Sequence, residues 1–103
     1  MALWSEEEII LAMEFFYTCP ERTHTDAHAV CQQVAAMLGR SPGALDRIIR
    51  NIKFVDSGGT GLEHASRLIY RLVGEYGDQV VLLRERAAAI RGQRGWAPLD
   101  CGD

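Results

Sequence analysis

The stretch that most constrains the fold is residues 26–54, DAHAVCQQVAAMLGRSPGALDRIIRNIKF. Its apolar residues recur every three or four positions on both sides of Gly39-Arg40-Ser41, which predicts two amphipathic helices joined by a tight turn. Gly39 is suited to the residue that ends a helix, and Ser41 followed by Pro42 is typical of a helix start. The stretch therefore predicts a helix-turn-helix-like unit.

The second of these helices divides into an apolar face and a basic face. Its apolar positions recur at i, i+3, i+4 and i+7: Leu45, Ile48, Ile49 and Ile52. Helical geometry then directs Arg47, Arg50 and Lys53 away from the core. One interpretation is that this helix enters the major groove of DNA, with Asn51 bonding an adenine edge. The other is an ordinary solvated face, and Asp46 beside Arg47 is in keeping with it.

Three further helices are predicted around this unit, which makes the chain an all-α domain of about five helices. The first begins at a Ser5–Glu8 capping box, with Trp4 placed to pack against Ile9. The others begin after a glycine-rich loop at 56–61 and at Gly77-Asp78, and the last closes at Gly92. We predict one domain over residues 1–92, followed by a flexible tail at 93–103 that has no apolar periodicity.

Charge is distributed unevenly along a chain whose formal net charge is −3. Residues 1–39 carry a net charge of −5 and residues 72–103 one of −1, whereas residues 40–71 carry +3. Positive charge thus concentrates in the second helix of the unit and the region that follows it, as DNA contact requires. The acidic first third and the negative total favour the other class of function, contact with a protein.

Cysteines and histidines offer a weaker hypothesis. Three cysteines at irregular spacing make a disulfide framework unlikely on sequence grounds. A zinc site is conceivable from four residues of suitable type, and buried cysteines beside surface histidines are the alternative: Cys19, His24, His28 and Cys31. No nucleophile–base pair is indicated for Cys31 with His28 or His64. We therefore expect no enzyme activity, no metal and no cofactor.

Scattered positions over about residues 4–90 resemble a known family. They begin with Trp4-Ser-Glu-Glu-Glu-Ile-Ile-Leu-Ala12 and continue in the expected order: Tyr17, Pro20, His24, Ala35-x-x-Leu-Gly-Arg40-Ser41, Asn51, Asp56, Gly61-Leu62 and Ser66-Arg67-Leu68. The pattern resembles the N-terminal helical domain of bacterial HNH restriction-endonuclease-like proteins. Ile69 and Val73 depart from it, since a charged and an aromatic residue are expected there. The sequence contains no HNH motif, so the resemblance implies a DNA-engaging module, related to restriction or regulatory systems, that does not cut.

Two functions follow as hypotheses. In the first, the helix Pro42–Lys53 reads double-stranded DNA, modified or not, while Arg40, Arg67, Arg71 and the Ser57–Gly61 loop hold the phosphate backbone. The residues predicted to contact DNA are Arg40, Ser41, Arg47, Arg50, Asn51, Lys53, Ser57, Gly59, Arg67 and Arg71. In the second, the chain is a protein-interaction module: an adaptor, an antitoxin-like partner or an inhibitor of a nuclease. The acidic N-terminus and the lack of a long apolar run predict a cytoplasmic protein without membrane contact.

Overall fold

A computed structural model describes residues 3–20, 29–59 and 67–101. These ranges form five helices: α1 Glu6–Thr18, α2 Ala29–Leu38, α3 Pro42–Asp56, α4 Arg67–Tyr76 and α5 Val80–Arg94. The described part contains no strand, and the all-α prediction is confirmed. Within the same ranges no helix is both long enough and apolar enough to cross a bilayer. Residues 26–28, at the start of the predicted helix-turn-helix-like unit, and residues 60–66, after the glycine-rich loop, lie wholly outside the described ranges.

Local sequence signals set several helix ends. At the start of α1, Ser5 Oγ accepts from the Glu8 backbone N–H at 3.1 Å and the Glu8 carboxylate accepts from the Ser5 N–H at 3.0 Å, which is the predicted capping box. Ser41 Oγ caps α3 through the Ala44 N–H at 3.1 Å. Gly39 has φ +70°, a conformation in which glycine carries no steric penalty. The turn between α2 and α3 is therefore formed as the sequence predicts.

Helix α1 lies at the centre of the fold. It packs mainly against α5 and also against α3 and α4. Seven consecutive residues, Ile9–Phe15, are buried, so the helix is enclosed on every side over two turns. Phe16, the next residue, is only partly buried. A helix that is apolar all round is typical of a core element.

A buried ion pair joins the two most closely packed helices. Arg91 of α5 donates from Nε and Nη2 to Glu14 Oε1 of α1 at 3.1 and 2.8 Å, and both side chains are at most 10% exposed. The Arg91 Nη1 atom donates to the Ala97 carbonyl at 2.7 Å and contacts the Met37 sulfur at 3.4 Å. The charges are therefore paired and hydrogen-bonded, which is the condition under which a protein interior tolerates them.

One disulfide links the start of the chain to its end. Cys19, the residue that ends α1, is bonded to Cys101, with the Cα atoms 5.7 Å apart. The expectation that the cysteines remain unpaired is wrong for these two. Their pairing depends on the docking of α5 along α1, which spacing in the sequence does not reveal. Cys31 is the third cysteine and is buried in α2.

The C-terminal segment, residues 96–101, runs along the core after α5. Helix α5 continues past the predicted boundary at Gly92 and ends at Gly95, which has φ +68°. Trp96, Leu99 and Cys101 are partly buried against the core. The lack of periodicity predicts a loose tail here. The segment is instead held by the hydrogen bond from Arg91 to the Ala97 carbonyl and by the long-range disulfide.

Candidate functional site

The outer surface of α3 carries the basic side chains that the sequence predicts. Arg47, Arg50 and Lys53 are exposed, and we call these three residues the basic face of α3. Leu45, Ile49 and Ile52 on the opposite side are buried among α1, α2 and α4, whereas Ile48 is only partly buried. The sharp split of the sequence pattern is thus confirmed in the fold.

Arg40 has a structural role that the sequence did not reveal. Its guanidinium forms two parallel hydrogen bonds of 2.8 Å with the Glu8 carboxylate, and Nη2 also donates to the Leu3 carbonyl at 3.0 Å. The same group lies over the Trp4 ring, 4.8 Å from its centroid. The hydrogen bonds from Arg40 lower the pKa of Glu8. Arg40, which was predicted to contact phosphate, therefore already uses its guanidinium to join the α2–α3 turn to the start of α1.

Two other predicted DNA contacts are paired with carboxylates on the surface. Arg50 Nε lies 2.9 Å from Asp46 on the same helix, with the arginine side chain 74% exposed. Arg71 contacts Glu6 at 2.9 Å and Glu75 at 3.7 Å, and all three side chains are about half exposed. Exposed pairs such as those of Arg71 contribute roughly 0–1 kcal/mol. The Asp46 side chain is only 14% exposed, but the Arg50 side chain faces solvent, so both arginines remain accessible to another anion.

The remaining predicted cations have no such partners. Among the described residues, Arg47, Lys53 and Arg67 have no hydrogen-bonding or ion-pairing partner, and all three are exposed. Arg47 and Lys53 belong to the basic face of α3, and Arg67 is the first residue of α4. Since no bond within the described residues competes for them, these side chains are well able to bind an external anion.

The predicted polar and glycine contacts divide between local structure and open surface. The Ser57 hydroxyl donates to the Phe54 carbonyl at 2.8 Å, and Ser41 caps α3. A Cβ atom on Gly59 would come within 2.5 Å of the exposed Phe54 ring, so the ring would have to shift to admit a side chain there. Gly61, at the far end of the predicted loop, lies outside the described residues. Asn51 is partly buried, and its amide has no partner in the described part of the chain.

A groove of about 890 Å³ opens beside the basic face of α3. Its walls come from the start of α1, the α2–α3 turn, the first half of α3 and the start of α4: Leu3, Trp4, Ile9, Gly39, Arg40, Ser41, Gly43, Ala44, Arg47, Ile48, Asn51, Leu68 and Ile69. Most of these side chains are apolar. Sequence reasoning did not anticipate the groove, and the only local sign was an exposed leucine, Leu3, ahead of the capping box.

The cysteines do not form the zinc site considered from the sequence. Cys19 is in the disulfide with Cys101, and Cys31 is buried in the core. His24 and His28 lie outside the described residues, as does His64, and their relation to Cys31 is therefore not described. Within the described ranges, no three histidine, cysteine or carboxylate side chains come together as metal ligands require.

Comparisons with models of protein families, with curated proteins and with solved structures found no significant match to this chain. The relation to HNH restriction-endonuclease-like proteins stays a prediction from the sequence.

Proposed function

We propose that this chain is a DNA-binding module that engages duplex DNA through the basic face of α3. The observation that carries the proposal is that Arg47 and Lys53 are exposed and have no partner among the described residues, while Arg50, 74% exposed, contacts only Asp46 there. Arginine and lysine side chains in this state neutralise phosphates and release counterions. The resemblance to the N-terminal domain of HNH restriction-endonuclease-like proteins points in the same direction.

In the proposed mode α3 lies in the major groove. Arg47 and Asn51, one helical turn apart, then face base edges, where arginine recognises guanine and asparagine recognises adenine. Arg50, Lys53 and Arg67 hold phosphates on either side. Reading a modified base falls within the same proposal.

The proposed mode revises the set of contacts predicted from the sequence. Arg40 is left out because its guanidinium is bonded to Glu8. Arg71 is left out because it would have to leave two carboxylates to bind a phosphate, whereas Arg50 contacts one. The module recognises DNA in this proposal and performs no chemistry on it.

The test is a titration of labelled duplex DNA at several salt concentrations, with modified duplexes included. Three phosphate contacts, from Arg50, Lys53 and Arg67, give a slope of log K against log salt of about −2.7, since each contact contributes about −0.9. Arg47→Ala with Arg50→Ala should reduce the magnitude of the slope to about 1.8 and weaken binding at every salt concentration. Absence of binding at low salt with all duplexes would exclude the proposal.

A matched control comes from α5. Arg86 is exposed and has no partner among the described residues, so Arg86→Ala removes the same charge from another surface. Because that surface does not bind DNA in this proposal, Arg86→Ala should leave the slope unchanged. Equal loss of affinity from Arg86→Ala and Arg47→Ala would show that binding is a response to net charge and that α3 is not the contact.

A protein-interaction module is the second candidate. The observation that favours it is the pairing of half of the six basic residues predicted to contact DNA: Arg40, Arg50 and Arg71 all contact carboxylates of this chain, and the net charge is −3. An adaptor, an antitoxin-like partner or a nuclease inhibitor fits this class. A specific complex with a nuclease that survives the Arg47→Ala and Arg50→Ala changes, without any DNA binding, would establish it.

The cytoplasmic location remains a part of the proposal, and the disulfide bears on it. Reducing compartments keep most cysteines as thiols, whereas a structural disulfide persists where conditions are oxidising. Rapid alkylation of cells followed by mass spectrometry measures the state of Cys19 and Cys101 directly. Free thiols at both positions fit the cytoplasm, and a bonded pair fits an oxidising compartment.

A further inference from the structure

The groove beside α3 combines two features that small-ligand sites share. Its volume of about 890 Å³ lies within the range of roughly 300–1,000 Å³ that such sites occupy. Its surface is mainly apolar, with few polar groups, which is the composition that buries an organic ligand and fixes its orientation. Trp4, Ile48 and Leu68 contribute apolar surface from three different helices or helix starts.

Two polar side chains lie on the α3 wall of the groove. Arg47 and Asn51 are separated by four residues on α3 and therefore lie on the same side of that helix. Neither side chain has a partner in the described part of the chain, although both line the groove. An arginine fork and an amide N–H together offer the donors that a carboxylate accepts.

The charge of the groove selects an anion that carries one negative charge. Arg40 also lines the groove, but its charge is balanced by Glu8 in a pair whose side chains are only 17% and 16% exposed. Arg47 is then the one lining residue of the described chain with an unbalanced charge. Complementarity therefore calls for a single carboxylate at the α3 wall and an apolar body against the remaining surface.

We infer that this groove is a binding site for a small amphipathic monocarboxylate, an acid with an aliphatic or aromatic body. The carboxylate accepts hydrogen bonds from Arg47 and Asn51. The apolar body lies along Trp4, Ile48 and Leu68. This site does not depend on DNA binding, and it shares Arg47 and Asn51 with the DNA contact proposed above.

Decanoate is the probe, and decanol is its uncharged match. Trp4 lines the groove, and Trp96→Phe leaves it as the single tryptophan of the sequence, so that its emission reports occupancy. Decanoate should change the emission of Trp4 and reach saturation, with a Kd no weaker than about 1 mM. Each methylene removed from the acid should weaken binding by up to about fourfold, the effect of about 0.8 kcal/mol for a buried CH₂.

The variants test the position of the carboxylate. Arg47→Met should weaken decanoate binding by about tenfold, in line with loss of a charge-assisted hydrogen bond, and should leave decanol binding nearly unchanged. Arg50→Met is the matched control, since it removes the same charge from α3 at a position outside the groove. Circular dichroism of each variant verifies the fold.

Each outcome decides the inference. A saturable signal with a preference for the acid that Arg47→Met abolishes and Arg50→Met retains supports it. No change in emission with decanoate up to about 1 mM overturns the site, and equal binding of decanoate and decanol overturns the carboxylate class. Equal effects of Arg47→Met and Arg50→Met overturn the location, because they would mark a nonspecific response to charge.

Discussion

Reduction of the Cys19–Cys101 disulfide should leave the fold only marginally stable. The two cysteines are 82 residues apart in the sequence. In the chain-entropy treatment, a loop of that length lowers the entropy of the unfolded chain by about 15 cal/mol/K, or about 4.5 kcal/mol at 25 °C. Domains of this size have a total stability of about 5–15 kcal/mol. The cross-link thus contributes a large share of the free energy of unfolding.

The expected change in melting temperature follows from the chain length. An unfolding entropy of about 2.1 cal/mol/K per residue gives about 0.22 kcal/mol/K for 103 residues. A loss of about 4.5 kcal/mol then lowers the Tm by about 20 °C. The assay is thermal unfolding by circular dichroism with and without a non-thiol reductant. A Cys31→Ala background prevents exchange with the third cysteine.

Two further measurements separate this reasoning from alternatives. The Cys19→Ser/Cys101→Ser variant should have the same Tm as the reduced protein. The urea m-value should rise on reduction, because an unfolded chain without the cross-link exposes more surface. If thiol titration verifies the bond and the Tm still changes by less than about 3 °C on reduction, the unfolded-state argument is refuted for this chain.

Three other predictions follow from the contacts described above. Arg91→Met leaves the Glu14 charge buried without a partner and should reduce the free energy of unfolding, measured in urea, by about 3–5 kcal/mol. Adding Glu14→Leu should restore most of that stability. A double variant as unstable as Arg91→Met alone would contradict this. The bond from Arg40 lowers the pKa of Glu8, so its stabilisation is present above the ordinary value of 4.5 and is lost as the pH falls through the lowered value. Urea titrations across that range should show a shallower acid loss for Glu8→Gln, and an identical loss would argue against the pairing. Saturating decanoate should weaken DNA binding by the wild type, since both ligands use Arg47, and simultaneous binding without mutual effect would contradict a shared contact.

Local structure was predictable where all of the interacting residues lie in one short segment of the sequence. Ser5 with Glu8 and Ser41 with Pro42 form their caps within a single turn, and the residues that make the contacts are neighbours in the sequence. The basic face of α3 was predictable for the same reason, because helical periodicity places Arg47 opposite Leu45 and Ile49 without knowledge of the neighbours.

Long-range pairings were not predictable in the same way. Glu8 was assigned to its cap, which it forms, but its contact with Arg40 depends on how the α2–α3 turn approaches α1. Arg91 offered a partial signal, since it lies four residues after Ala87 on the inward side of α5. Only its partner, Glu14, 77 residues away, makes that position acceptable for a charge.

The groove was not predictable because its walls are brought together by tertiary packing. Trp4, Arg47 and Leu68 are spread over more than half of the sequence, and each has an ordinary local interpretation. Periodicity identifies which side of a helix faces inward, but not the gaps left where three helix starts meet. The clue that remained in the sequence was the amide of Asn51 beside an apolar stripe.

The central position of α1 has a consequence for synthesis of the chain. Its main packing partner, α5, is the last helix to leave the ribosome, about 60 residues after Thr18. At roughly 5–20 residues per second, the apolar surface of Ile9–Phe15 waits about 3–12 s for that partner. Burial of α1 is therefore completed only when α5 has been made. A nascent chain with its most apolar helix exposed for seconds is a natural client for chaperones.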